Sequence, residues 1–225
     1  MAERTSRRTV RTGRGLRRGT ASSDRFVTVA SPAKILAVAR ALRRRGVDVE
    51  VVDGAPAARA AVLRHLGPAD EVLEATSETL KEIGLGGDGS GTAPYRRLRP
   101  RLDRLARAGR RDEKRRRGAS PDVILGSVHA ITERGEVLVA SGTGSQLGPY
   151  GYGAGRVIWV VGAQKVVRDL AEGFRRIREF AVRREDARVR RLGGGGSVVN
   201  KLLVVFGEHQ PHRVTVVLSR SPLGV

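Results

Sequence analysis

From Ser31 onward, short amphipathic helical stretches closed by glycine alternate with short valine-rich runs of strand period. This alternation constrains the fold more than any other feature, because a β–α–β rhythm favours a parallel sheet covered by helices on both faces. Ser31-Pro32 supplies an N-cap with proline at the first helical position. Ile35, Leu36, Val38, Ala39 and Leu42 then form one apolar stripe, and Gly46 supplies the stop. A strand follows through Val47, Val49, Val51 and Val52, and a second helix runs from about Pro56 to Leu66, closed by Gly67. Glu71-Val72-Leu73 reads as a strand, and residues 77–83 as a short helix ended by Gly84.

The second half continues the pattern. Residues 136–140 read as a strand and residues 157–161, Val-Ile-Trp-Val-Val, as a central strand buried on both faces. A long helix then places Val167, Leu170, Phe174, Ile177 and Ala181 on one side, and residues 202–206 and 214–218 complete the sheet as two final strands. The expectation is one α/β domain over residues 26–225 with about five to seven strands, preceded by a disordered Arg-rich tail over residues 1–25. Residues 85–94 are a flexible loop by composition.

The net charge of +20 resides in three segments. Residues 1–25 carry eight arginines against Glu3 and Asp24; residues 96–117 carry twelve basic residues against three acidic ones; residues 175–191 carry eight arginines against three acidic residues. Outside them the chain is neutral. In residues 96–117, Leu98, Leu102 and Leu105 recur at i, i+4 and i+7, so the arginines there form the solvent face of a helix whose start Pro100 limits. Such segments are solvated basic faces or an electrostatic docking surface. Eight aromatic residues leave little for base stacking, which argues against a reader of RNA or of single strands. The twin arginines Arg7-Arg8 and Arg17-Arg18 are followed by no apolar segment of roughly 7–15 residues, so an export signal fails and a cytoplasmic location is expected. The longest apolar run is far short of the roughly 20 residues a membrane span needs. With no cysteine, the chain offers no thiolate for an iron–sulfur cluster or a zinc site.

Several segments bear chemistry. Ser141-Gly142-Thr143-Gly144-Ser145-Gln146 directly follows a strand, where small residues let backbone N–H groups approach an anion and hydroxyls add donors. The same composition also suits a plain tight turn. Gly193-Gly194-Gly195-Gly196 leads into Ser197, Asn200 and Lys201, and reads as a linker or as an anion nest. If residues 128–132 are extended, His129, Ile131 and Glu133 share one face, and an imidazole near a carboxylate suits acid–base work or a hydrogen-bonded strand end. Lys165 follows the central strand, a place from which a lysine reaches a ligand. His209 and His212 sit with Pro211 in a connection best read as an exposed hairpin, and no metal site is expected.

Taken in order, several of these stretches resemble the LUD-domain (lactate-utilisation) family. They are residues 125–133 (Leu-Gly-Ser-Val-His-Ala-Ile-Thr-Glu), residues 137–147 (Val-Leu-Val-Ala-Ser-Gly-Thr-Gly-Ser-Gln-Leu), Pro149-Tyr150-Gly151-Tyr152-Gly153-Ala154, residues 157–162 with Gln164-Lys165, and Arg176-Ile177-Arg178-Glu179. Upstream, residues 76–84 look like the family's Ser/Thr-rich turn into a short helix; downstream, Gly196-Ser197 with Asn200-Lys201 looks like its glycine–serine–asparagine–lysine element. The likeness spans about Ser31 to Val225. The chain departs from the pattern in its Arg-rich tail, in the basicity of residues 96–117, and in Arg183-Arg184 where Pro-Leu is expected.

The resemblance implies a three-layer α/β/α sandwich with a mostly parallel sheet, like the NagB/RpiA/CoA-transferase-like superfamily. It implies an accessory subunit in the oxidation of L-lactate to pyruvate, working with separate iron–sulfur proteins; clusters then belong only on those partner chains. On this basis Ser141, Gly142, Thr143, Gly144, Ser145 and Gln146 are expected to form one half of a pocket for a small anionic metabolite. Gly196, Ser197, Asn200 and Lys201 form the other half, Lys165 or Lys201 neutralises the anion, and Glu133 with His129 supplies acid–base groups at the rim. The alternatives are a stand-alone enzyme of the sugar-phosphate or CoA-transferase class, and a basic nucleic-acid-associated protein.

Overall fold

The computed structural model describes residues 25–86 and 93–225. The expected tail, apart from Arg25, and residues 87–92 of the expected loop lie outside the described residues.

The described residues open with α1 (Pro32–Arg44), β1 (Asp48–Val52), α2 (Gly54–Arg64), β2 (Glu71–Glu74) and α3 (Glu78–Glu82). Local signals built these elements as read: Ser31 Oγ accepts the Lys34 N–H at 3.3 Å, Pro32 opens α1, and Ser77 caps α3 in the same way. Leu36 is a correction, since it is exposed while Ile35, Val38, Ala39, Ala41 and Leu42 form the buried face. Next come β3 (Arg96–Arg97), α4 (Arg99–Arg107), α5 (Arg111–Ala119) and β4 (Val123–Gly126). Leu98, Leu102 and Leu105 are buried as their spacing requires, whereas α5 buries nothing.

β5 (Ala130–Thr132), β6 (Val137–Ser141), β7 (Arg156–Gly162), β8 (Val166–Val167), β9 (Lys201–Val205) and β10 (Val214–Ser219) complete the strands. Six form a parallel sheet in the order β1-β10-β7-β4-β2-β3. β7 lies at its centre between β10 and β4, and its period-two alternation serves two cores. Val157, Trp159 and Val161 face α1 and α4, while Ile158 and Val160 face α2 and α3. This is the α/β architecture expected.

The remaining strands correct the expectation of a single sheet. β6 and β9 lie with β5 and β8 in a second, mixed sheet ordered β8-β5-β6-β9. The cause is the connection from β5 to β6: four residues, closed by the Thr132 N–H to the Glu136 carbonyl at 2.9 Å, allow only an antiparallel return. Because β9 and β10 belong to different sheets, the His209–His212 segment joins two sheets instead of closing a hairpin. His212 Nδ1 lies 2.9 Å from Asp48 Oδ2 there.

The long helix is a composite: α6 (Leu170–Arg176), a π-helical turn (Ile177–Ala181) and α7 (Val182–Arg191). Ile177 and Ala181 are buried as the stripe requires and the wider turn brings Phe180 inside with them, whereas Phe174, in α6 before the turn, is exposed against expectation. Among the described residues, no helix is long and apolar enough to cross a membrane.

Candidate functional site

Parallel strands deliver their C-terminal ends to one side of the sheet, and ligands in open α/β sheets bind there. The segments leaving β2, β4 and β7 carry residues 75–79, residues 127–129 and Lys165, and all line one cavity of about 680 Å³. The second sheet contributes the end of β6 and the loop after it, together with Ser197, Val198 and Val199 ahead of β9. α7 closes the remaining side with Arg184, Glu185, Arg188 and Arg191.

Lys165 forms part of the cavity wall and is 2% exposed. Its Nζ donates to Thr79 Oγ1 at 2.8 Å and to Ser127 Oγ at 3.0 Å. Both hydroxyls have their own protons committed elsewhere: Ser127 donates to the Val160 carbonyl at 2.7 Å and Thr79 to the Leu223 carbonyl at 3.4 Å. The amine is thus held by acceptors without any carboxylate. Burial, reinforced by the charge of Arg176 and only partly offset by Glu82, pushes its pKa down to about 7.

His129 lies beside it with Nδ1 accepting the Ala140 N–H at 3.1 Å, which fixes the neutral tautomer protonated on Nε2. Burial, with Lys165 and Arg176 nearby, drives its pKa down to about 3. Arg176 is fully buried and donates to the His129 carbonyl at 2.6 Å, while its Nε and Nη2 have no hydrogen-bond partner. Burial and then Arg184 lower its pKa to about 10, so it stays cationic at neutral pH.

Of the residues expected to bind ligand, Ser141, Gly142, Thr143, Ser145, Gln146, Lys165 and Ser197 line the cavity, as does His129. Gly144, Gly196, Asn200, Lys201 and Glu133 are not part of its wall. Asn200 and Lys201 instead tie the two loops together: Asn200 Nδ2 donates to the Gly142 carbonyl at 3.1 Å and Lys201 Nζ to the Thr143 carbonyl at 3.0 Å. Lys201 is exposed and acts as a clasp from outside. Glu133 pairs with Lys34 at 2.7 Å on the surface, so His129 and Glu133 do not form the acid–base pair that strand alternation suggested. The Ser141–Gln146 loop follows a strand of the mixed sheet and not one of the parallel sheet, and Ser141, Gly142, Thr143, Ser145 and Gln146 of it line the cavity.

Residues missed from sequence include Ser127 and Thr79, which hold Lys165, and the arginines of α7. Arg184, Arg188 and Arg191 recur at i, i+4 and i+7, the spacing of one helical face, and that face meets the cavity instead of bulk solvent alone. Arg188 answers both acidic residues of the wall, with Glu185 at 2.6 Å and Glu78 at 3.4 Å. Arg184 and Arg191 have no ion pair among the described residues; Arg184 lies over the Phe180 ring at 4.8 Å.

Tyr150 backs the cavity from a π-helical turn (Pro149–Gly153), edge-on to Trp159 with ring centroids 5.4 Å apart. Its hydroxyl packs where a side chain on Gly126 would stand. Gly126→Ala is therefore expected to displace Tyr150 and to cost about 1–3 kcal/mol, measured as a lowered denaturation midpoint. An unchanged midpoint would show that the ring shifts freely.

A family model for the LUD domain matches residues 35–219. Among solved structures, the chain is similar to a DUF162 family protein from Deinococcus radiodurans: 18% identity, covering 84% of this chain and 99% of that chain, with a TM-score of 0.46. No curated protein matches.

Proposed function

The chain belongs to the LUD-domain family, and from that premise we propose that it is the cluster-free, anion-binding subunit of an organic-acid oxidation system that takes L-lactate to pyruvate. The observation that carries this reading is the charge inside the cavity. Arg184 and Arg191 have no carboxylate partner among the described residues, and Arg188 answers both acidic residues of the wall. A cavity with a surplus of cationic donors and low-dielectric walls favours a carboxylate over neutral ligands. Ser141, Thr143 and Ser145 line the same cavity, with Ser141 and Ser145 donating to Gln146 Oε1 at 3.3 and 3.5 Å and Thr143 to Ser145 Oγ at 3.2 Å.

Oxidation of lactate releases two electrons and two protons, and the chain has no cysteine with which to hold an iron–sulfur acceptor. The electrons therefore pass to clusters on partner chains, and this subunit's part is to bind and orient the acid. The exposed arginine faces of α4 and α5 offer an acidic partner a docking surface.

Calorimetric titration with L-lactate and with pyruvate tests the reading. Saturable binding is expected, weakened by about tenfold or more in the Arg184→Gln/Arg191→Gln double variant, since a hydrogen bond to a charged group contributes about 1.5–3 kcal/mol. No binding of either acid by the wild-type chain overturns it.

A further inference from the structure

We infer that Lys165 is a nucleophile that captures the carbonyl of a 2-oxo acid as a reversible imine, so that the cavity holds the oxidised form of its ligand covalently. The inference rests on the anion-binding reading of the same cavity and extends it to a reaction.

Three observations carry it. The first is place: Lys165 follows the central strand, is 2% exposed and lines a cavity large enough for a small acid. The second is hydrogen bonding. A neutral amine has two N–H groups and one lone pair, whereas an ammonium has three N–H groups. The structure supplies two acceptors, Thr79 Oγ1 and Ser127 Oγ, and both hydroxyl protons already point at carbonyl oxygens. Two acceptors match the neutral amine, and neither hydroxyl has a proton left to tie up the lone pair. The third is the surrounding charge. Arg176 lies on one side with two unpartnered nitrogens, His129 is neutral, and Glu82 is engaged with the Gly224 N–H at 2.6 Å. This environment disfavours the ammonium form, the usual way in which an enzyme activates a lysine.

The chemistry balances without a further reagent. The Nζ lone pair adds to the carbonyl carbon, and the carbonyl oxygen takes a proton to give a carbinolamine. That oxygen then leaves as water while nitrogen loses its remaining proton, forming the C=N bond. Hydrolysis reverses the step. The carboxylate of the acid meets Arg184, Arg191 and the Ser141–Gln146 loop.

The test is reductive trapping. Wild-type protein is incubated with pyruvate and cyanoborohydride, and peptide mass mapping locates the reduced adduct among the five lysines, Lys34, Lys81, Lys114, Lys165 and Lys201. Labelling of Lys165 is expected to exceed that of each other lysine by at least about tenfold, because exposed lysines stay protonated at neutral pH. Lys165→Arg should abolish that adduct, and L-lactate, having no carbonyl, should give none. Pyruvate that binds in calorimetry but labels no lysine, or labels all five alike, overturns the imine and leaves the anion-binding reading standing. Absence of both heat and adduct overturns both.

Discussion

Arg213→Ala is expected to lower the free energy of unfolding by about 3–5 kcal/mol, the cost of removing one partner from a buried, hydrogen-bonded ion pair. Arg213 is buried at the end of the connection from β9 into β10, and its guanidinium serves four groups. Nε donates to the Ala154 carbonyl at 3.1 Å, Nη2 to the Pro149 and Tyr150 carbonyls at 3.1 and 3.3 Å, and Nη1 to Glu208 at 2.7 Å. The planar fork thus caps carbonyls of the π-helical turn that positions Tyr150 against the cavity. Alanine leaves those carbonyls and the Glu208 carboxylate without this donor. Burial alone would raise the Glu208 pKa, but the Gln210 N–H and Arg213 together outweigh it and hold it low, so loss of Arg213 also lets Glu208 titrate closer to its ordinary value. For a chain of this size the midpoint should fall by roughly 10 °C. Arg213→Lys, with charge but no fork, should lie between the two. A loss under about 1 kcal/mol for alanine would show that water replaces the guanidinium and that the turn holds itself.

The contrast between Arg213 and Lys165 marks how far the sequence was legible. Local signals were sufficient wherever the structure is local. The Ser31-Pro32 cap, the leucine spacing of α4 and the apolar run of β7 need only neighbours in the chain, and all appear where expected. Lys165 was legible too, because a residue just past a central strand has few places to go. Its partners were not: Thr79 and Ser127 lie 86 and 38 residues away, and only the strand order β7-β4-β2 brings them together. Short apolar runs mark residues 136–140 and 202–206 as strands, but such a run carries no information about which sheet a strand joins, so the second sheet is not legible from it. No residue type announces the π-helical turn either, whose wider circumference brings Phe180 inside beside Ile177 and Ala181. The arginines of residues 175–191 read by net charge alone as a solvated or docking face, yet Arg184 and Arg191 of α7 line the cavity and Arg176 of α6 is fully buried.

Lys165→Met is expected to stabilise the protein at neutral pH and to lose that advantage as the pH rises. The folded pKa of about 7 lies well below the unfolded value of 10.5. Below pH 7 both states carry the proton, and the folded state bears the full cost of a buried ammonium. Between pH 7 and 10.5 the folded state has shed the proton while the unfolded chain keeps it, so wild-type stability rises by about 1.4 kcal/mol per pH unit. Above 10.5 neither state is charged and the cost is gone. Methionine fills a similar volume without titrating, and Ser127 and Thr79 keep their own carbonyl acceptors when the amine is removed. The gap between variant and wild type should therefore be roughly 4–5 kcal/mol near pH 6.5 and shrink to under about 1 kcal/mol near pH 10. The lower limit of the comparison matters, because removing the lysine charge also releases His129 upward from about 3. Working above pH 6.5 keeps that imidazole neutral in both proteins. Denaturant midpoints across the pH series give the slope directly. A gap that stays constant from pH 7 to 10 would mean that the folded lysine keeps its proton throughout, and the amine required for imine formation would then be absent at any pH at which the protein works.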